Sequence, residues 1–550
     1  MLFVHRKILV SVVSVIFICV VNGSVSRADR LIDRDRARLL EKRTEILRQL
    51  RLELRQLSDQ CFENGLQVAA QDVTAISLQI TSPVDNPVFP QMLQLPLGER
   101  VPEADRVWRN RLQKLRTECA QDLYRLARSA LKSRLPSLAY RFVRDTLVVD
   151  PDHKYARSII GHKKFVDIQR KDDRLYAGEW VSPFEAAQRS GRNPEVDHPE
   201  FGWIPIKNVT RYEQGERFYK GKWMSSVRES EIRRQFRNAW EVRSEHFLVK
   251  TNTSLEEGVQ VARKLERFHD WLTNHFAAFF ETPAALMSRF EQATSRTRSS
   301  ASAKPMEVHY YATRTQYDQV IRQRNPDYAT LVTNGLYWEP DQTCYFFRKE
   351  DEEENDSTIY HEATHQILDL ATFRDRTNAA RKRRLVLRER SVRPWLLAER
   401  SNFWLLEGIA CYFESFEIKE GQVAVGDPTY VRFMTAQHRL FEDNFYVPFV
   451  MFCGMGREQF QSHANFRQLY SQSSGVVHFL MEYKGGQYKD DFVNLLSAVY
   501  RPDLANITRK PSLQQITGVD FSVLDQEYRE HMGDVAVAIR LKQIQMQLQN

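Results

Sequence analysis

The hydrophobic rhythm of this chain changes at Glu245, and that change limits its fold more than any other feature. From there strand-like and helix-like stretches alternate, the signature of an α/β or α+β layer. "EHFLVKTN" reads as a strand, "SLEEGVQVARKLERFHDWLTNHFAAFF" as a long helix, "MEVHYYA" as a strand and "RTQYDQVIRQ" as a helix. "NGLYWEPDQTCYFF" sets alternating aromatics about a Pro-Asp turn, the pattern of a hairpin. The acidic stretch "RKEDEEENDS" leads into a further helix, with Asp356 or Ser357 as its expected N-cap.

Upstream the spacing is helical. "LIDRDRARLLEKRTEILRQLRLELRQL" repeats leucines between charges, so Asp29 to Leu57 reads as a long amphipathic helix or the arm of a coiled-coil hairpin. After the Pro-rich "SPVDNPVFPQMLQLPLGERVPEADR", helical spacing resumes at Val107. From Leu123 the chain resembles about one and a half tetratricopeptide repeats, with Leu126, Ala139, Pro151 and Gly161 at matching positions. Because such units need about three copies to stack, an ordinary helical hairpin packed on the next domain is the competing reading. "YAGEWVS" from Tyr176 is echoed 43 positions later by "YKGKWMS" from Tyr219, two small turn-and-aromatic units that form a connector.

A chain of 550 residues, 42% of them apolar, can bury a sizeable core. Its 79 basic and 71 acidic residues leave a net charge of +8, too balanced for a nucleic-acid-binding field. His5, Arg6 and Lys7 precede an apolar run from Ile8 to Val21 and the small-residue stretch ending at Ala28. That pattern is short for a membrane span and suits a signal peptide cleaved after Ala28, so export is expected; left uncleaved, the run would anchor the chain in a membrane. Beyond it Cys61, Cys119, Cys344, Cys411 and Cys453 are odd in number and lack a C-x-x-C pair. They form neither a disulfide framework nor a thiolate zinc site, though Cys61 and Cys119 could bridge.

One helix carries chemistry. In "YHEATHQILDL", His361 and His365 stand four apart and share a helix face, so both can hold one ion. Glu362, beside the first, can take a proton from an activated water. A catalytic zinc needs a third ligand. Glu407, 42 positions after His365 in "NFWLLEGIACYFES", is the candidate, because a glutamate in an otherwise apolar helix is hard to place elsewhere.

With these residues the chain resembles the gluzincins, zinc peptidases with a thermolysin-like core in which H-E-x-x-H is followed by W-x-x-E-G-x-A. Trp404, Glu407, Gly408 and Ala410 match the second motif. It resembles more closely still an exported family, known only as a domain of unknown function, that joins such a core to N-terminal helices. The likeness runs from about Glu245 to Met532. It implies an α+β fold in which a mixed sheet precedes a helical subdomain, and Zn2+ held by His361, His365 and Glu407. It also implies Glu362 as general base and Tyr470, in "LYSQSSGVVHFLMEYKGG", as a phenol stabilising the transition state. The aminopeptidase pattern has Lys-Gly after that tyrosine where this chain has Gln472-Ser473, so a packed core tyrosine is the alternative. "TCYFF", Thr343 to Phe347, is the expected edge strand for a substrate backbone.

Asp369 and Glu414 are candidates to orient the histidines. Cys411 stands where thermolysin-like enzymes carry an aspartate. The stretch from Arg381 to Arg400 holds eight basic residues, a rim for acidic substrates or a solvated insertion. No G-x-S-x-G, phosphate-loop or G-x-G-x-x-G motif competes.

The expected organisation is a leader at 1–28, a helical region at 29–170, a connector at 171–240, a gluzincin-like domain at 241–535 and a tail at 536–550. The expected function is an exported, secreted or cell-envelope zinc peptidase acting on a peptide or protein. The alternative is a non-catalytic scaffold that binds a protein partner through its N-terminal helices.

Overall fold

The computed structural model describes residues 2–81, 102–166, 178–292, 304–324, 333–387, 397–419, 422–501 and 511–549. Residues 82–101 of the Pro-rich break, Tyr176 of the first echo and residues 388–396 of the basic stretch lie outside them, as do the side chains of the expected leader. Among the described residues no helix is long and apolar enough to cross a membrane.

The first helix, Leu2–Glu63, turns at Gly65 and pairs with Gln67–Thr81. Glu103–Lys132 and Pro136–Val149 form a second hairpin. The leucine spacing pays off as two clusters. Leu50, Leu54, Leu57 and Cys61 meet Val73, Leu112 and Cys119. Leu39 joins Leu126, Ala139 and Phe142, together with Ala277, Leu286 and Phe290 from far down the chain. All five described cysteines are buried and free, so Cys61 and Cys119 pack as small hydrophobes and do not bridge. A second repeat does not follow the hairpin, because Lys154–Ile159 is a six-residue helix that gives way to strand.

Among the described residues three antiparallel strand pairs follow, β1–β2 (Lys163–Phe165, Glu179–Val181), which begins before the expected connector, and β3–β4 (Glu195–His198, Gly202–Pro205) and β5–β6 (Glu216–Tyr219, Lys222–Ser225) within it. The echo has a local cause. Gly178 and Gly221 take positive φ just before the second strand, a conformation glycine adopts freely, and Ser182 and Ser225 then cap the helices that follow. The middle hairpin escapes the sequence comparison because Gly202 abuts Trp203 with no residue between.

The main sheet has five strands: β7 (Trp240–Arg243), β8 (Phe247–Thr251), β9 (Met306–Tyr311), β10 (Gly335–Trp338) and β11 (Thr343–Phe347), in the order β10-β11-β9-β8-β7. The β8–β9 and β9–β11 pairs are parallel and the outer pairs antiparallel, so the fold is α+β with a mixed sheet. This corrects the expectation for "TCYFF". All five of its residues are buried and it lies between β9 and β10, as an unbroken apolar run should. The edge strands of this sheet are β7 and β10, and β10 is the one that packs against the Glu352–Leu387 helix. The next helix starts at Glu352, not near Asp356. Its first turn is capped by Asp351, whose Oδ1 accepts the Glu354 N–H at 2.8 Å, and Glu352–Glu354 favour the positive end of the helix.

The helices Leu255–His275 and Glu352–Leu387 pack on the sheet. Phe403–Phe413, Val431–Phe441, Phe466–Glu482 and Lys489–Tyr500 then build a helical layer around Trp404, Ile409, Phe413, Val477 and Leu480, all essentially inaccessible. The last helix, Phe521–Gln549, runs through the expected tail.

Candidate metal centre

His361 and His365 stand one turn apart on the Glu352–Leu387 helix, with ring centres 5.1 Å apart. Glu407 reaches them from the second turn of Phe403–Phe413, its Oε2 3.8 Å from His361 Nε2 and 3.9 Å from His365 Nε2. Three ligands at about 2.0–2.2 Å from one ion lie roughly 3.3–3.5 Å apart in a tetrahedral arrangement, so the gap fits an ion. Two other triads have ligand-type atoms equally close: His246, Glu266 and His269, and His361, Cys411 and Glu414. In these a carboxylate already sits 2.7 or 2.8 Å from an imidazole Nδ1, a hydrogen bond with no room for an ion between the pair.

Backbone geometry fixes where Glu407 comes in. Asn402 takes φ 59°, its N–H donates to Cys453 O at 3.0 Å and its side chain to Pro511 O at 2.8 Å, while the Phe403 N–H reaches Met455 O. Trp404 is fully buried and stacks on Phe452. Gly408 presses on the backbone of the Phe466–Glu482 helix. A Cβ there would meet Ser473 O at 2.7 Å and Val477 Cγ2 at 2.8 Å, so only glycine lets Glu407 sit so near that helix.

Polar partners complete the site. His361 Nδ1 lies 2.8 Å from Glu414 Oε1, which leaves Nε2 turned toward Glu407. Arg432 holds Glu414 through Nε at 2.7 Å and Nη2 at 2.9 Å. Burial works against the Glu414 carboxylate, but His361 and Arg432 outweigh it and bring it down to about 2. Cys411 is buried beside His361, and the carboxylate that orients this histidine comes from Glu414, three residues further along the same helix. Asp369 does something else. It accepts the Tyr337 hydroxyl at 2.7 Å and pairs with Arg376.

The two imidazoles differ in charge. Burial opposes a proton on His361, yet Cys411 and Glu414 hold it well above the ordinary histidine value. Burial and the His361 charge push His365 well below. Glu407, the third member, is held above the usual carboxylate range by burial, with the His361 and Arg457 charges opposing. Glu362 is held above the usual carboxylate range by burial, with His361 and a 2.7 Å hydrogen bond from the Tyr337 backbone N–H opposing. That N–H turns away from β11, so the edge strand touches the base directly. Tyr470, half-buried, packs edge-to-face on Phe460. Burial, then the Glu407 charge, pushes its phenol up and keeps it protonated, while Gln461 is its hydrogen-bond partner.

Sequence reasoning missed Arg432, Tyr337, Glu339 and Arg457. Each comes from a segment with no motif of its own, and no local signal could have found them. A cavity of about 420 Å³ lies elsewhere, between the hairpins and β7, and Arg217 and Arg233 on its wall are already paired with Glu256 and Glu229.

No family model, curated protein or solved structure matches the chain.

Proposed function

We propose that this chain is an exported zinc-dependent peptidase with a thermolysin-like core. One observation carries the reading: two histidines of one helix and Glu407 of another leave an ion-sized gap, with Glu362 half-buried beside it. Bound zinc would supply a Lewis acid for the scissile carbonyl and bring the pKa of a water to about 7. Glu362 takes the water's proton and delivers it to the leaving amine, and its raised pKa suits a base working near neutral pH. Glu414 fixes the His361 ring with Nε2 inward. Tyr470 donates its phenolic proton toward the developing oxyanion. The β10 edge offers its backbone to an extended substrate.

The test is metal content and peptide cleavage by the purified full chain. Near-stoichiometric zinc is expected, with turnover that a chelator removes. Glu362→Gln should keep the zinc and lose activity by about 10²-fold or more. Zinc bound in full with no cleavage of a broad peptide library would overturn the reading and leave the scaffold alternative.

A further inference from the structure

We propose that Arg457 binds a carboxylate of the substrate, either the chain terminus or an Asp or Glu side chain, next to the bond under attack. This rests on the hydrolase reading above. Arg457 opens the short helix Arg457–Gln461, and its guanidinium carbon lies 4.9 Å over the Phe403 ring. Phe403 is one turn before Glu407 on the same helix, so the cation sits beside a metal ligand. It is no loose surface side chain. Its N–H donates to Ala398 O at 3.1 Å, and Gly456 passes so close to Glu399 that a Cβ would fall 2.0 Å from that carbonyl oxygen.

The guanidinium is short of acceptors. Nε is buried without a hydrogen-bond partner, and Nη2 stands 3.6 Å from Glu339, beyond hydrogen-bond length. Glu339 follows β10, the strand whose Tyr337 N–H holds the general base. The pair thus runs from the Glu407 helix to the edge-strand turn, across the place a substrate backbone would occupy. Both side chains are partly open to solvent, 28% and 31%. A long, half-exposed ion pair contributes little, whereas a planar guanidinium grips a carboxylate through two parallel hydrogen bonds. Burial already holds Glu339 above the usual carboxylate range, which eases its release from Arg457. Among the described residues, Arg376 is engaged by Asp369 and Arg432 by Glu414.

The experiment compares zinc-loaded full chain with Arg457→Gln, Arg457→Lys and Glu339→Gln on matched peptides. One arm sets free C-terminal acids against amides, the other internal Asp or Glu against Asn or Gln; whichever arm responds names the source of the carboxylate. Wild type should prefer the carboxylate by roughly 10-fold or more in kcat/KM. Arg457→Gln should abolish the preference, chiefly through KM, and Arg457→Lys should restore part of it. Glu339→Gln should sharpen the preference by removing the competitor, and it decides the matter if Arg457→Gln fails to fold. Equal cleavage of acids and amides and of Asp and Asn peptides by wild type, or a preference that survives Arg457→Gln, overturns the proposal. If wild type cleaves nothing with zinc in place, the hydrolase reading fails by itself. Calorimetric binding of the same peptides to zinc-loaded protein then judges the subsite: tighter binding of carboxylate peptides that needs Arg457 supports it, and equal binding refutes it.

Discussion

Gly408→Ala is the sharpest test of how the second helix delivers Glu407. The new methyl would lie 2.7 Å from Ser473 O and 2.8 Å from Val477 Cγ2, where ordinary contact begins near 3.4 Å. The helices must therefore part by about 0.7 Å, and a backbone carbonyl cannot rotate away as a side-chain tip can. Overpacking of this kind costs about 1–3 kcal/mol. Alanine returns about 1 kcal/mol in helix propensity, leaving a net loss of about 0–2 kcal/mol, against a gain of about 1 kcal/mol at an open helical position. Glu407 moves with its helix, so zinc affinity should drop by about 10-fold or more. Urea unfolding of the metal-free protein and chelator competition for zinc measure the two effects. Gly533→Ala is the control, because nothing lies within 4 Å of a Cβ there and only the propensity gain remains. If Gly408→Ala behaves like Gly533→Ala in both assays, the close-approach argument is wrong.

Glu414→Gln keeps the shape but weakens the charge behind His361 and should lower zinc affinity by about 10–100-fold, read by the same competition. Asp490→Ala removes the acceptor for the Ser137 N–H and the partner of Arg36, and should cost about 1–3 kcal/mol in urea unfolding. A buried histidine pair predicts acid sensitivity. His478 Nε2–H donates to Gly426 O, so its Nδ1 accepts from His531, and burial with the His478 charge brings His531 down to about 3. Above about pH 6.5 both folded and unfolded forms are neutral and nothing is lost. As pH falls from there toward 3 the unfolded chain takes a proton the folded one refuses, so stability drops by about 1.4 kcal/mol per pH unit. Urea midpoints at several pH values should fall less steeply for His531→Gln, and an unchanged slope would contradict this.

The parts of the site that were legible in the sequence are those set by helix geometry. His361, Glu362 and His365 are fixed by a spacing of four, and Glu414 follows Glu407 by two turns, so one local rule places all of them. Glu407 stood out as a glutamate in an otherwise apolar helix and by its likeness to a known motif, but which two helices cross is a tertiary fact that no local rule supplies. Strand order is equally non-local: the apolar run of "TCYFF" reported burial on both faces but said nothing about which neighbour closes the sheet. β7 is only four residues long, straddles the expected boundary at 240 and precedes the first strand read from the sequence at Glu245. The N-cap shifted because a run of acidic residues offers several caps and packing chooses among them. Arg457 and Glu339 come together only when the edge-strand turn folds against a helix more than a hundred residues later.

The N-terminal helices and the domain behind them share a core. The Tyr124 hydroxyl donates to Phe290 O, Arg36 donates to Gly486 O at 2.8 Å, and Leu286 and Phe290 lie among Leu126, Leu131 and Phe142. Opening the helices therefore uncovers apolar surface on the far side of the expected boundary, and the two parts should melt in a single cooperative transition. Amide exchange at Leu126 and Leu286 should report one common opening free energy. A chain cut at 240 would leave Leu286 and Phe290 facing water, which makes the helical region a structural half of the domain that carries His361, His365 and Glu407 and not a detachable adaptor.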